Sequence, residues 1–295
     1  MSFGLGEFYS LACALSWAIA VIFFAKSGES LAPVPLNLFK NILGLALMLA
    51  TVLAFGGVAW PDIPAGVVLL AFFSGFLGIG VGDTLYFRAL NAMGAARMGV
   101  AQTMYSPFVI LLSTLFLDER LRPLQLLGVA LVIGGILLVN YTRQAGTAPI
   151  EGVRRGVVNA VLSVFVMAAG IVIAKPLLER YDFLWIVSLR IVGGTLGLLL
   201  FTVLRRNGSA VWGAFARVKH WPAIIAGSVF GTYVSMMLWL AGYKYTRASV
   251  AAVLNETAAV FILVLAAIFL RDRLKPLQLA GSLAATGGVL LVVLR

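Results

Sequence analysis

The sequence predicts an all-α integral membrane protein with ten transmembrane helices arranged as two inverted five-helix repeats. Three observations predict it. Hydrophobic residues occupy 62% of the 295 positions, far above the ~45–50% of soluble domains. Charged residues occupy 11% and collect in short clusters. The apolar stretches between them hold roughly twenty residues, which at ~1.5 Å per residue cross a ~30 Å hydrocarbon core. The chain also aligns with itself at an offset of 153 residues.

In chain order the ten stretches run approximately over 6–26, 35–56, 64–90, 95–117, 123–141, 153–174, 182–204, 221–244, 248–270 and 276–294. The first begins at Gly6 with no basic residue before it and matches the others in length. It is therefore expected to stay as a span and not to be cleaved as a signal peptide. The longest connections, about 141–152 and 205–220, are too short for a soluble domain. Trp60, Trp185, Trp212 and Trp221 fall near predicted ends, where an amphipathic ring suits the interface.

Cys13, the lone cysteine, reads as a small packing residue. His220, the lone histidine, reads as an interfacial residue beside Trp221. No metal site of the His and Cys kind is expected, and no cofactor. The net charge of +11 comes from Lys and Arg placed in ones and twos at helix ends. Anionic lipid headgroups account for that pattern, and a nucleic-acid partner is not expected.

The repeat aligns 74–139 with 227–292 without a gap. FLDERLRPLQLLG, from Phe116 to Gly128, matches FLRDRLKPLQLAG, from Phe269 to Gly281, at nine of thirteen positions. Gly134-Gly135 pairs with Gly287-Gly288, Ala25-Lys26 with Ala174-Lys175, and Lys40 with Arg190. The expected units are residues 1–142 and 153–295, joined by a linker over 143–152. An odd number of spans per unit inverts the second unit in the membrane. Inverted halves that exchange conformations turn a cavity open to one side into one open to the other.

The paired turn, then Pro, Leu-Gln-Leu and Gly, then Gly-Gly in the last helix of each half, resembles the EamA-type members of the drug/metabolite transporter superfamily. The run from Tyr86 to Leu90, Ser106-Pro107 and the Phe-Leu-Asp-Glu-Arg motif fit as well, whereas Asp272 and Val260 depart from the pattern. The resemblance implies a ten-helix exporter or exchanger of small metabolites with both termini on one side. Family likeness would place those termini in the cytoplasm. The positive-inside rule prefers the reverse, because Arg143, Arg154 and Arg155 in one connection and Arg205, Arg206, Arg217 and Lys219 in another lie on the opposite side.

Intramembrane polar residues are costly and mark candidate sites. In the fourth stretch Gly99, Gln102, Thr103 and Ser106 share a face, and Ala252, Asn255, Glu256 and Ala259 are their equivalents in the ninth. Gln102-Thr103 and Asn255-Glu256 lie ~12 Å into their helices at ~1.5 Å per residue, near the midplane, and are expected to face each other. A carboxylate as deep as Glu256 needs a cation, a proton or a substrate amine.

Gly75, Gly78 and Gly82 suit close helix packing. They precede Asp83 and Tyr86, whose repeat partner is Trp239. Tyr86 and Trp239, with Trp17, Tyr105 and Tyr233, are candidates to line a pathway. Lys40 and Arg190 either snorkel to the interface or couple to Glu256 or Asp83, and Asp83 could instead pair with Arg88. Glu119-Arg120 and Asp272-Arg273 read as turn and helix-capping pairs.

No phosphate loop, catalytic triad or supported carboxylate pair occurs, so an enzyme is not expected. A receptor would be expected to bring a soluble effector domain. The reading is a secondary transporter that moves a small metabolite, such as an amino acid or related compound, by alternating access. Membrane lipids surround it, and protons are the candidate coupling ion. It is expected to work as a monomer in a bacterial inner membrane.

Overall fold

The computed structural model describes residues 4–27, 33–56, 62–86, 88–89, 92, 101–141, 150–204, 208–215, 218, 220–269 and 276–293. Gly99, Arg143, Arg205, Arg206, Arg217, Lys219, Asp272 and Arg273 lie outside the described residues. Among the described residues every regular element is a helix and no strand occurs.

The helices are α1 (Leu5–Ser27), α2 (Pro33–Thr51), α3 (Ala65–Gly75), α4 (Tyr105–Phe116), α5 (Pro123–Tyr141), α6 (Ile150–Arg180) and α7 (Phe183–Leu204). After them come a short α8 (Gly208–Phe215), then α9 (Trp221–Ser228), α10 (Ser235–Tyr245), α11 (Ala248–Asn255), α12 (Ala258–Phe269) and α13 (Pro276–Val293). Three π-helical segments interrupt the regular winding. Val52–Gly56 ends α2, Phe76–Gly82 continues α3, and Val229–Val234 joins α9 to α10.

Seven helical runs are long and apolar enough to cross a membrane: Leu5–Phe23, Val34–Phe55, Ala65–Tyr86, Arg154–Arg180, Phe183–Leu204, Trp221–Tyr245 and Ala248–Phe269. Tyr105–Phe116, Pro123–Leu138 and Leu279–Val293 are apolar but shorter. The chain is a multi-pass integral membrane protein. Large apolar side chains such as Phe55, Phe116, Val203 and Leu204 stand exposed on its outside, as hydrocarbon permits and water would penalise.

The first half and the second half pack into each other. Helix α1 lies against α9, α10, α11 and α12, while α6 lies against α3, its π segment and α4. The main core brings Val164, Ala168 and Ile171 of α6 against Ile186, Val187 and Ile191 of α7 and Ala251 and Ala252 of α11. A second core joins α5 and α13 through Val132, Ile136, Ala285 and Val289.

Glycines set how closely α5 and α13 approach. A Cβ at Gly128 would stand 2.7 Å from the Gly288 carbonyl oxygen, and one at Gly135 would stand 2.4 Å from that of Gly281. Gly128 therefore meets Gly288 while Gly135 meets Gly281, so the two helices cross antiparallel. Small residues permit backbone contact of this kind inside a membrane. Gln125 Nε2 donates to the Val292 carbonyl at 3.1 Å and closes one end of the seam.

Candidate functional site

Helix α4 begins only after a turn at Thr103-Met104, although the sequence pattern reads as one continuous stretch. Pro107 has no N–H to offer the Thr103 carbonyl, so the regular i to i+4 ladder cannot run through this point. Met104 N donates instead to the Ala101 carbonyl at 3.1 Å.

A second turn, at Glu256-Thr257, separates α11 from α12. It holds without a proline, because Thr257 N bonds the Leu254 carbonyl (3.1 Å), Ala259 N that of Glu256 (3.2 Å) and Val260 N that of Thr257 (2.9 Å). These i to i+3 bonds tighten the chain locally. Thr103 and Glu256 are equivalent at the 153-residue offset, as are the π segments beginning at Phe76 and Val229.

The interrupted helices touch each other. Ser106 Oγ donates to Glu256 Oε1 at 3.0 Å, and both residues are buried. Asn255 Nδ2 donates to the Ala251 carbonyl at 2.8 Å, and its enclosed Oδ1 has no hydrogen-bond partner among the described residues. Gln102 Oε1, at the equivalent position, is likewise enclosed and without a partner among the described residues. Thr103 is buried beside it.

Tyr105, next to Ser106 in α4, links the junction to two further aromatic rings. The hydroxyls of Tyr105 and Tyr243 share a hydrogen bond of 2.9 Å, and Trp239 meets the Tyr243 ring edge to face at 5.4 Å. Cys13 Sγ contacts Ser235 Oγ at 3.3 Å. Tyr233 shares a hydrogen bond with Thr51. Tyr86 is half-buried against the main core, and Trp17 is half-buried on α1.

The intramembrane charges divide into two arrangements. Lys40 Nζ forms an ion pair with Asp83 Oδ2 at 2.9 Å, and Arg88 lies instead over the Phe201 ring at 5.2 Å. Arg190 does not snorkel, because it is wholly buried. Its Nη1 donates to Ser74 Oγ at 2.6 Å and to the Gly170 carbonyl at 2.9 Å. Its Nε and Nη2 have no partner, and no carboxylate pairs with it among the described residues.

One end of the bundle is held by a cross-chain network. Glu119, read from sequence as a capping residue, caps α11 through Ala248 N (2.8 Å), Ser249 N (3.0 Å) and Ser249 Oγ (2.8 Å). Lys175, buried at the end of α6, donates to the carbonyls of Tyr243 and Thr246, each at 2.9 Å, and to Glu179 at 2.6 Å. Sequence reasoning missed Tyr243 and Ser74. The equivalent of Tyr243 is Leu90 and that of Ser74 is Gly227, so a search for repeated polar residues passes over both. The role of Lys175 had a signal, its match to Lys26.

The EamA-like transporter family model matches residues 4–141 and again residues 154–294. The chain belongs to the EamA-like transporter family. Among its relatives is an uncharacterized transporter of Archaeoglobus fulgidus, 25% identical over 97% of this chain and 96% of that protein. The uncharacterized transporter YoaV of Bacillus subtilis is 25% identical over 46% of this chain and 47% of its own length. An uncharacterized transporter of a Sinorhizobium species is 30% identical over 45% of this chain and 94% of its own. A solved crystal structure shares the fold with a TM-score of 0.78 at 18% identity, covering 97% of this chain and 95% of that one. This EamA-family chain is a membrane transporter, and membership implies a small-molecule substrate and argues against an enzyme.

Proposed function

We propose that the protein is a secondary transporter, an exporter or exchanger, that moves a small metabolite by alternating access between two inverted five-helix repeats, residues 1–142 and 153–295. The observation that carries this reading is the pair of helix interruptions at Thr103-Met104 and Glu256-Thr257, equivalent in the repeat and linked by the bond from Ser106, at the start of α4, to Glu256. Interrupted helices meeting at mid-depth are where transporters built from inverted repeats bind their cargo. The double match of the family model and the antiparallel crossing of α5 and α13 support ten spans in two inverted units.

In this reading the substrate lies at the junction of α4 with α11 and α12. Gln102, Thr103, Asn255 and Glu256 contact its polar part, with Tyr105, Trp239, Tyr86, Tyr233 and Trp17 along the route. Glu256 carries the coupling proton or meets a cationic group. Lys40 and Asp83 lock the interior of the first half, and Glu119 with Lys175 closes one end in the state described. A monomer in a bacterial inner membrane carries the function.

The test is uptake into proteoliposomes driven by a pH gradient, comparing the wild type with Glu256→Gln. Loss of gradient-driven accumulation in the variant supports the reading. Unchanged coupled transport removes Glu256 from the mechanism.

A further inference from the structure

Helix ends converge at the end of the bundle that carries Glu119 and Lys175. The starts of α1, α5 and α11 and the ends of α10 and α13 enclose a cavity of about 340 Å³. Among the described residues, none of those at the junction of the interrupted helices lines it. Helix ends lie where hydrocarbon gives way to headgroups and water. Leu5 and Phe8, on the same turn of α1 as the cavity residue Glu7, stand exposed, as does Tyr245 in the cavity wall. Apolar and aromatic side chains exposed at such a level suit a lipid boundary.

One wall of the cavity is cationic. Arg122 and Arg247 are exposed, and no carboxylate pairs with either among the described residues. Arg247 Nη1 donates to the Arg120 carbonyl at 3.2 Å, which ties its guanidinium to the turn between α4 and α5. Arg122 stands at the start of α5, the positive end of that helix. Glu7, the carboxylate in the described lining, is buried and engaged. Its Oε1 accepts from Thr246 Oγ1 at 2.9 Å and its Oε2 from the Gly4 N–H at 3.1 Å. Two guanidinium groups against one engaged carboxylate leave the described lining with a net positive charge.

The opposite wall is apolar. Val250, Val292 and Val293 form it and belong to the second core, where α5 and α13 meet. The repeat does not duplicate this arrangement, because Arg247 corresponds to Gly94 at the 153-residue offset. A ligand that fits both walls has an anionic, oxygen-rich head and a hydrocarbon tail. Guanidinium forks match phosphate oxygens, and basic pockets between transmembrane helices take anionic headgroups.

We infer that this cavity binds the phosphate of an anionic phospholipid headgroup. The phosphate lies between Arg122 and Arg247, and the glyceride rests on Val292 and Val293. Helix α5 belongs to the first half of the chain and α11 to the second, so the bound lipid ties the two halves together at this end.

The experiment titrates the purified full chain, in neutral detergent, with three probes. Dioleoyl-phosphatidylglycerol is the anionic lipid, dioleoyl-phosphatidylcholine has the same chains and no net charge, and glycerol 3-phosphate supplies phosphate without chains. Melting temperature and native mass spectrometry of the retained lipid are the readouts. Phosphatidylglycerol is expected to be retained and to raise the melting temperature, since a ligand of the folded state stabilises it. The other two are expected to need at least about tenfold higher concentration. Arg122→Gln combined with Arg247→Gln is expected to weaken phosphatidylglycerol binding at least about tenfold, at roughly fivefold per arginine. Arg180→Gln, which removes an exposed charge at the end of α6 outside the cavity, is expected to weaken it less than about twofold.

Equal retention of phosphatidylcholine, or an equal loss in Arg180→Gln and the double variant, makes the attraction a general effect of surface charge and overturns the site. Equal stabilisation by glycerol 3-phosphate assigns the cavity to a free phosphate compound and overturns the lipid assignment. The comparison of the three probes on the wild type decides the matter should the double variant fail to fold.

Discussion

Ser106 Oγ donates a 3.0 Å hydrogen bond to Glu256 Oε1, joining the first turn of α4 to the turn between α11 and α12. The bond spans from the first half of the chain to the second. A movement of one half against the other therefore has to stretch or break it. In the proposed function, the carboxylate that it orients meets a proton or a substrate amine once the junction opens.

Ser106→Ala is expected to keep the fold, since it deletes one hydroxyl, and to change the rate of transport more than the binding of substrate. Parallel flux and thermal-shift titrations check this. An affinity loss with an unchanged maximal flux would assign Ser106 to substrate binding instead.

Removing one partner of the Lys40–Asp83 ion pair takes from the other a 2.9 Å charge-assisted contact inside the bundle. Lys40→Met or Asp83→Leu is expected to cost about 3–5 kcal/mol of stability, and the double variant to recover most of it, because an apolar pair can replace a buried ion pair at little loss. Melting temperatures of the three variants in one detergent decide the matter. Additive losses would contradict the pairing.

The glycine seam gives a contrast within one dipeptide. Gly135→Ala places a methyl group 2.4 Å from the Gly281 carbonyl oxygen, whereas Gly134→Ala meets nothing within 4 Å. The first is expected to lose about 1–3 kcal/mol by forcing α5 away from α13, and the second to be neutral. The same contrast is expected between Gly288→Ala and Gly287→Ala. Denaturation curves of the four variants measure it.

Glu119 caps α11, and Lys175 donates to the carbonyls of Tyr243 and Thr246 at the same end of the bundle; in the proposed function this network closes that end. Glu119→Ala is expected to cost about 0.5–2 kcal/mol, as for the loss of a helix cap. It is also expected to expose Thr246→Cys, in a Cys13→Ser background, to faster labelling by an impermeant maleimide. Unchanged labelling would make the network a simple helix cap with no part in closing that end.

Much of this was legible in the sequence. Apolar runs separated by charge clusters identify the membrane class, and the match of FLDERLRPLQLLG to FLRDRLKPLQLAG aligns Gln102 with Asn255 and Thr103 with Glu256 from the sequence alone. The turns at those positions were not legible. The second has no proline to announce it, and a helix closed by i to i+3 bonds keeps the same hydrophobic pattern as an unbroken one. The surroundings of Arg190 were hidden for another reason. Its partners Ser74 and Gly170 are distant in sequence and one contributes only a backbone carbonyl, so periodicity carries no trace of them. Gly75, Gly78 and Gly82 read as packing residues, but their spacing does not announce the π-helical winding of Phe76–Gly82.

The central claim is that the junction of the interrupted helices opens to each side in turn. Gln102→Cys in a Cys13→Ser background places a single thiol at that junction. Its reaction with a membrane-impermeant thiol reagent, added inside or outside proteoliposomes, tests the claim most directly. The account predicts labelling from both sides, with Glu119→Ala shifting the balance towards the side that Glu119 closes. Labelling from one side alone, in the parent and in Glu119→Ala, would contradict it.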